Sequence, residues 1–170
     1  MRYLSLLSAV GLILISSANG VLAETLPSLT GPILLRIDGV DPTRFPGGHL
    51  DLDLPMLQAI DATTFSTGTI WTEGSHEYTG VSLQALVQAV GVIGDNLTLQ
   101  AMNDYSVEVP VSDAVQGGPI IAYFSDGAPM SVREMGPLWL IYPYDSNPDF
   151  QTDVIYTRSI WQLDRILISP

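Results

Sequence analysis

Aromatic and polar residues that can recognise a ligand fall at predicted strand ends and loops: Trp71, Thr72, Glu73, Asn103, Asp104, Tyr105, Arg133, Tyr142, Tyr144, Asp145, Tyr156, Arg158 and Trp161. Loops carried on a rigid sheet are where binding residues concentrate. Groups that make and break bonds are scarce. The chain has no cysteine, so it has no thiolate nucleophile and no thiolate metal site. Its two histidines, His49 and His76, stand apart in sequence and beside no metal-type spacing or nucleophile elbow. The run Asp145-Ser146-Asn147-Pro148-Asp149 imitates the start of a calcium loop but lacks the sixth-position glycine and the closing glutamate. Asn96-Leu97-Thr98 matches a glycosylation acceptor, a motif common by chance.

The elements that must position these residues are mostly strands. Residues 33–39 are rich in β-formers, and 49–53 alternate apolar and polar, so the two predict a hairpin around 42–48. Asp53 is placed to cap a short helix with Pro55 in its first turn and Leu54, Leu57 and Ile60 on one face. Residues 63–71 read as a strand and 72–80 as a loop. The strongest helix signal follows: Ser82 as cap, Leu83, Leu86, Val87 and Val90 as the apolar face, Gly91 as stop. Beyond it, strands are expected at 97–102, 106–109, 120–124, 138–142 and 161–168, with turns at 103–104, 117–118 and 126–127. Runs of strands with two short helices predict a single α+β domain built on one mixed sheet.

The chain opens with a basic residue, an apolar stretch to about residue 15 and a small polar stretch ending Val21-Leu22-Ala23, the pattern of a signal peptide. Ser16, Ser17, Asn19 and Gly20 interrupt the apolar run before the length a membrane-spanning helix needs. The expected organisation is a signal peptide over 1–23 and one domain over 24–170, in the periplasm, with no membrane insertion after cleavage. Lysine is absent, and after cleavage five arginines face 18 acidic residues, a net charge of −13. Such a surface repels nucleic acid and anionic lipid and favours neutral molecules or a basic protein surface as partners.

Five segments in order, Trp71 with Tyr-Thr-Gly-Val-Ser-Leu (78–83), Asn-Asp-Tyr-Ser (103–106), Ile-Ala-Tyr-Phe-Ser-Asp-Gly-Ala-Pro-Met (121–130) and Gly-Pro-Leu-Trp-Leu-Ile-Tyr-Pro (136–143), resemble the oxidoreductase molybdopterin-binding domain of the sulfite oxidase group. The resemblance spans about residues 31–168 and implies that fold. Catalytic members hold molybdenum through one cysteine, normally on the loop after the strand that corresponds to 63–71, and hold the cofactor phosphate with several basic residues. Here cysteine is absent, and only Arg133 and Arg158 fall in matching loops. The chain is more similar to a smaller exported, cysteine-free group, the periplasmic pterin-binding proteins of the PruR type. That resemblance implies a non-catalytic protein, without molybdenum or a covalent cofactor, that binds a reduced pterin. It also implies a partner, the periplasmic region of an inner-membrane protein that makes or degrades cyclic-di-GMP. Two other readings stay open: a subunit of a molybdopterin-dependent oxidoreductase, and an interaction module that has lost its ligand.

A pterin presents two adjacent N–H donors on a guanidine-like edge, which a carboxylate can accept together. Asp104 is the first candidate for that role, with Glu73 and Asp145 behind it; Asp104 can equally cap a hairpin turn. The flat face calls for an aromatic wall from Trp71, Tyr144 or Trp161, while the alternation around Trp139 and Trp161 also suits core positions. Arg133 or Arg158 can donate to the pterin's O4 and N5 acceptors, or Arg158 can pair with a neighbouring aspartate. Thr72, Asn103 and Tyr105 complete the expected ligand-binding set.

Overall fold

A computed structural model describes residues 26–169; the expected signal segment 1–23 lies outside them. In chain order the elements are β1 (Leu35–Asp38), β2 (His49–Leu52), α1 (Leu54–Ile60), β3 (Thr63–Gly68), β4 (Ser75–Ser82), α2 (Leu83–Val90), β5 (Asn96–Ala101), β6 (Ser106–Pro110), β7 (Ile120–Ser125), β8 (Ala128–Pro129), β9 (Trp139–Ile141), α3 (Asp153–Arg158) and β10 (Leu163–Ser169). The protein is a small α+β fold with short helices, but its strands divide between two sheets instead of forming one.

The first sheet has the order β2-β1-β10-β5-β6, with β1 and β10 parallel and the other neighbours antiparallel. The expected hairpin is present, with Arg36 opposite Asp51 and Ile37 opposite Leu50. The second sheet is antiparallel: β3-β4-β7-β8, with β9 also on β7. Residues 120–123 and all of β9 are buried, as expected of strands covered on both faces. One apolar cluster draws from both sheets. Helix α2 turns Leu83, Leu86 and Val90 toward Ile37, Leu97, Ile166 and Ile168 of the first sheet.

Local chemistry sets the helix ends. The Asp53 carboxylate accepts from the Met56 N–H at 3.0 Å, capping α1, while its other oxygen accepts from the N–H groups of Thr30 and Gly31 at 2.7 Å. These donors hold the Asp53 carboxyl below the ordinary carboxylate range, against the opposing pull of burial. Ser82 caps α2 through Ala85, and Gly91 ends it at φ 72°.

Two expectations change around the future site. The strand foreseen over 63–71 stops at Gly68, because the Thr69 hydroxyl accepts from the N–H groups of Trp71 and Thr72 and folds the chain into a turn. The loop foreseen over 72–80 is largely strand: β4 begins at Ser75 and lies between β3 and β7. Gly80, in the Tyr-Thr-Gly-Val-Ser-Leu segment, sits where only a glycine fits. The register with β7 shifts between Thr79 and Gly80, and a Cβ at Gly80 would run into the backbone of Ile121 and Ala122. Gly80→Ala is therefore expected to destabilise the fold by about 1–3 kcal/mol, the usual cost of overpacking, read as a lower urea midpoint.

Candidate functional site

All three tryptophans of the chain meet in one cluster. Trp71, on the turn after β3, is its hub: ring centroids lie 5.8 Å from Trp139, 5.6 Å from Trp161, 5.9 Å from Tyr156 and 6.4 Å from Tyr144, all edge-to-face. That is the preferred geometry of aromatic pairs. Buried bonds fix the partners. The Trp139 indole donates to the Ser159 carbonyl at 3.1 Å, the Tyr144 hydroxyl to Ser159 Oγ at 2.6 Å, and Ser159 Oγ to the Ile155 carbonyl at 2.8 Å. Burial pushes the Tyr144 phenol well above its ordinary pKa, so it stays a neutral donor.

Beside this cluster opens a cleft of about 570 Å³. Ile70 and Trp71 reach it from the turn after β3, and Asn103 and Tyr105 from the turn between β5 and β6. Asp153, Tyr156 and Thr157 come from α3, while Ser159, Ile160 and Trp161 come from the segment before β10. The cleft thus lies where a turn of one sheet meets a turn of the other. Its size and its mix of aromatic walls with a few polar groups are those of a small-molecule site. Among the described residues Asp153 is the single charged side chain in its lining.

Of the ten residues expected to bind ligand, Trp71, Asn103 and Tyr105 line this cleft, and Tyr144 stands behind Trp71 as a buried support. Asp145 and Thr72 hold the turn that carries Trp71. Asp145 accepts from the Gly68 N–H at 2.6 Å, and its own N–H donates to the Thr67 hydroxyl; Thr72 shares a 2.8 Å hydroxyl contact with Thr69. The Glu73 carbonyl receives a bond from His76. Asp104 occupies a left-handed turn position at φ 66°, exposed, accepting from the Gln100 amide. Arg133 lies exposed on the short 3-10 turn Val132–Glu134. Arg158 pairs with Asp113 at 2.9 Å, and the same carboxylate oxygen accepts from the Tyr142 hydroxyl at 2.7 Å. That network ties α3 to the chain after β6 and leaves Arg158 outside the cleft lining.

Asp153, Thr157 and Ser159 were not singled out from sequence. Helix α3 is six residues long, too short to show a periodicity. Its one local signal is Thr152, whose hydroxyl accepts from the Ile155 N–H as an N-cap.

A second cleft, of about 370 Å³, lies on the Trp139 side, lined in part by Thr72, His76, Tyr78, Asp126 and Met130. Both ring nitrogens of His76 face acceptors: Asp126 at 2.7 Å and the Glu73 carbonyl at 3.0 Å. Only the doubly protonated ring donates to both, and the Asp126 bond accordingly raises the His76 pKa above its ordinary value. Among the described residues no group of three or more His, Asp or Glu side chains is placed to hold a metal ion.

No protein-family model matches the chain, and no curated protein matches it significantly.

Two outcomes follow from these contacts. Arg158→Ala leaves the part-buried Asp113 carboxylate with the Tyr142 hydroxyl but without its cation and is expected to lower stability by about 1–3 kcal/mol in urea unfolding, with ligand affinity unchanged where the variant is folded. In the His76–Asp126 pair the mutual hydrogen bond raises the His76 pKa and lowers that of Asp126. The histidine contribution is complete between the carboxylate range, where Asp126 would protonate, and the unfolded histidine value of about 6.5, and it is lost as pH rises through the folded His76 value. The stability difference between the parent and His76→Gln should therefore shrink from mildly acidic to alkaline pH.

Proposed function

We propose that this protein is a non-catalytic, periplasmic binder of a phosphate-free, reduced pterin. The observation that carries the proposal is the cleft bounded by Trp71, Tyr105, Tyr156 and Trp161 with one carboxylate, Asp153, at its side. A flat heteroaromatic ring gains dispersion and stacking against such walls. A carboxylate can accept both N–H donors of the pterin's guanidine-like edge. In this arrangement Asp153 takes the part first expected of Asp104, and Asn103 and Thr157 supply neutral donors and acceptors to the rest of the ring.

Molybdopterin suits these residues poorly. The chain has no cysteine to ligate molybdenum, and the charged group of the cleft is an anion that would face the cofactor's phosphate. Neither Arg133 nor Arg158 is among the lining residues that could balance it. A bare pterin is therefore the proposed ligand, with no residue in a catalytic role.

On the resemblance to periplasmic pterin-binding proteins, the protein would also act in signalling. The bound state would be read by the periplasmic region of an inner-membrane cyclic-di-GMP enzyme. The signal-like start of the chain and the strongly acidic composition are compatible with an exported protein that meets a basic protein surface.

Titration of the purified exported protein with a tetrahydropterin under exclusion of oxygen tests the reading. Saturable binding is expected, weakened at least about tenfold, or ~1.4 kcal/mol, by Trp71→Ala and by Asp153→Asn, and unchanged by Asp104→Ala. Absence of saturable binding by reduced or oxidised pterins leaves an interaction module. Stoichiometric molybdenum in the purified protein leaves an oxidoreductase subunit instead.

A further inference from the structure

The mouth of the aromatic cleft is ringed by large apolar side chains that the fold leaves in solvent. Ile70 is 61% exposed, Val154 57%, Met102 53%, Tyr105 53% and Trp161 38%. They come from four separate stretches: the turn after β3, the turn between β5 and β6, the first turn of α3, and the segment before β10. Ile70, Tyr105 and Trp161 line the cleft itself. Met102 sits next to them, its N–H bonded to the carbonyl of Gln162, and Val154 follows the cleft residue Asp153. Scattered exposed apolar residues need no explanation, but several gathered around one opening mark an interaction site.

The charge around this ring selects the occupant. Asp153 lines the cleft and the exposed Asp104 lies on the adjacent turn, no arginine among the described residues lines it, and the whole chain is strongly acidic. A second copy would set acidic rim against acidic rim, and an anionic lipid surface would be repelled in the same way. We infer that the mouth of this cleft is a protein-docking surface, and that its partner presents an apolar centre flanked by arginine or lysine. The apolar ring supplies the desolvated core of the contact, and the exposed Asp104 with the acidic surface around it meets the partner's cations at the rim. The surface does not depend on which ligand fills the cleft beneath it.

The test uses Met102→Ser/Val154→Ser, a double variant at two exposed positions outside both the cleft lining and the core. The probe is a short fluorescent peptide of leucine and arginine patterned as an amphipathic helix, with a leucine–glutamate peptide as control. Saturable binding of the arginine peptide to the parent is expected, with affinity lost about tenfold or more in the double variant and no binding of the glutamate peptide. Equal binding by parent and double variant would reduce the effect to bulk charge and overturn the inference, as would no binding at all. Sedimentation showing a dimer that the double variant abolishes would make a second copy the occupant. Binding of the parent, but not the variant, to zwitterionic vesicles would make it a lipid surface. A parent that binds the arginine peptide but no pterin supports the docking surface and removes the pterin reading.

Discussion

The contact on which the rest of the site depends is the edge-to-face meeting of Trp71 with Trp139 and Trp161. Trp139 belongs to β9 of the second sheet, and Trp161 pairs with it in an isolated bridge just before the chain enters β10 of the first. Trp71 reaches both rings from the turn after β3. Each aromatic pair contributes about 0.5–1.5 kcal/mol beyond area burial. The cluster thus holds a seam between two sheets while leaving one side of Trp71 and Trp161 open to a cleft. Asp145, through Gly68, and Thr69, through the N–H groups of Trp71 and Thr72, make that turn a fixed wall rather than a loose loop.

Charge is the second constraint. The chain has no lysine, and two of the five arginines among the described residues are committed to structure: Arg158 to Asp113 at 2.9 Å, and Arg36 to Asp51 at 3.0 Å. What remains in the cleft is a single carboxylate among aromatic and neutral polar groups. A flat ring with paired donors suits such a lining and a phosphate does not, which is why a bare pterin is proposed here over a phosphate-bearing cofactor.

Much of the frame was legible in the sequence because its signals are local. Asp53 and Ser82 as caps, Gly91 as stop, and the β1–β2 hairpin each depend on residues close together along the chain. The division into two sheets was not legible, because it rests on long-range pairing such as β4 with β7, and alternating patterns do not name their partners. Trp71 could be read as a site residue since it meets a polar loop. Arg158 stayed ambiguous because its partner, Asp113, lies 45 residues away. Asp153 was invisible because α3 is a single short turn and a half whose placement is decided by Ser159 and the aromatic cluster.

The central claim is that the open side of the Trp71–Trp161 wall receives a flat heteroaromatic ring. It is tested most directly by following the three indole N–H resonances by NMR, assigned through single Trp→Phe variants, while a tetrahydropterin is added without oxygen. Ring-current shifts on Trp71 and Trp161, with the Trp139 indole held on the Ser159 carbonyl and little changed, are the predicted result. Saturable binding that moves neither Trp71 nor Trp161 would contradict the account.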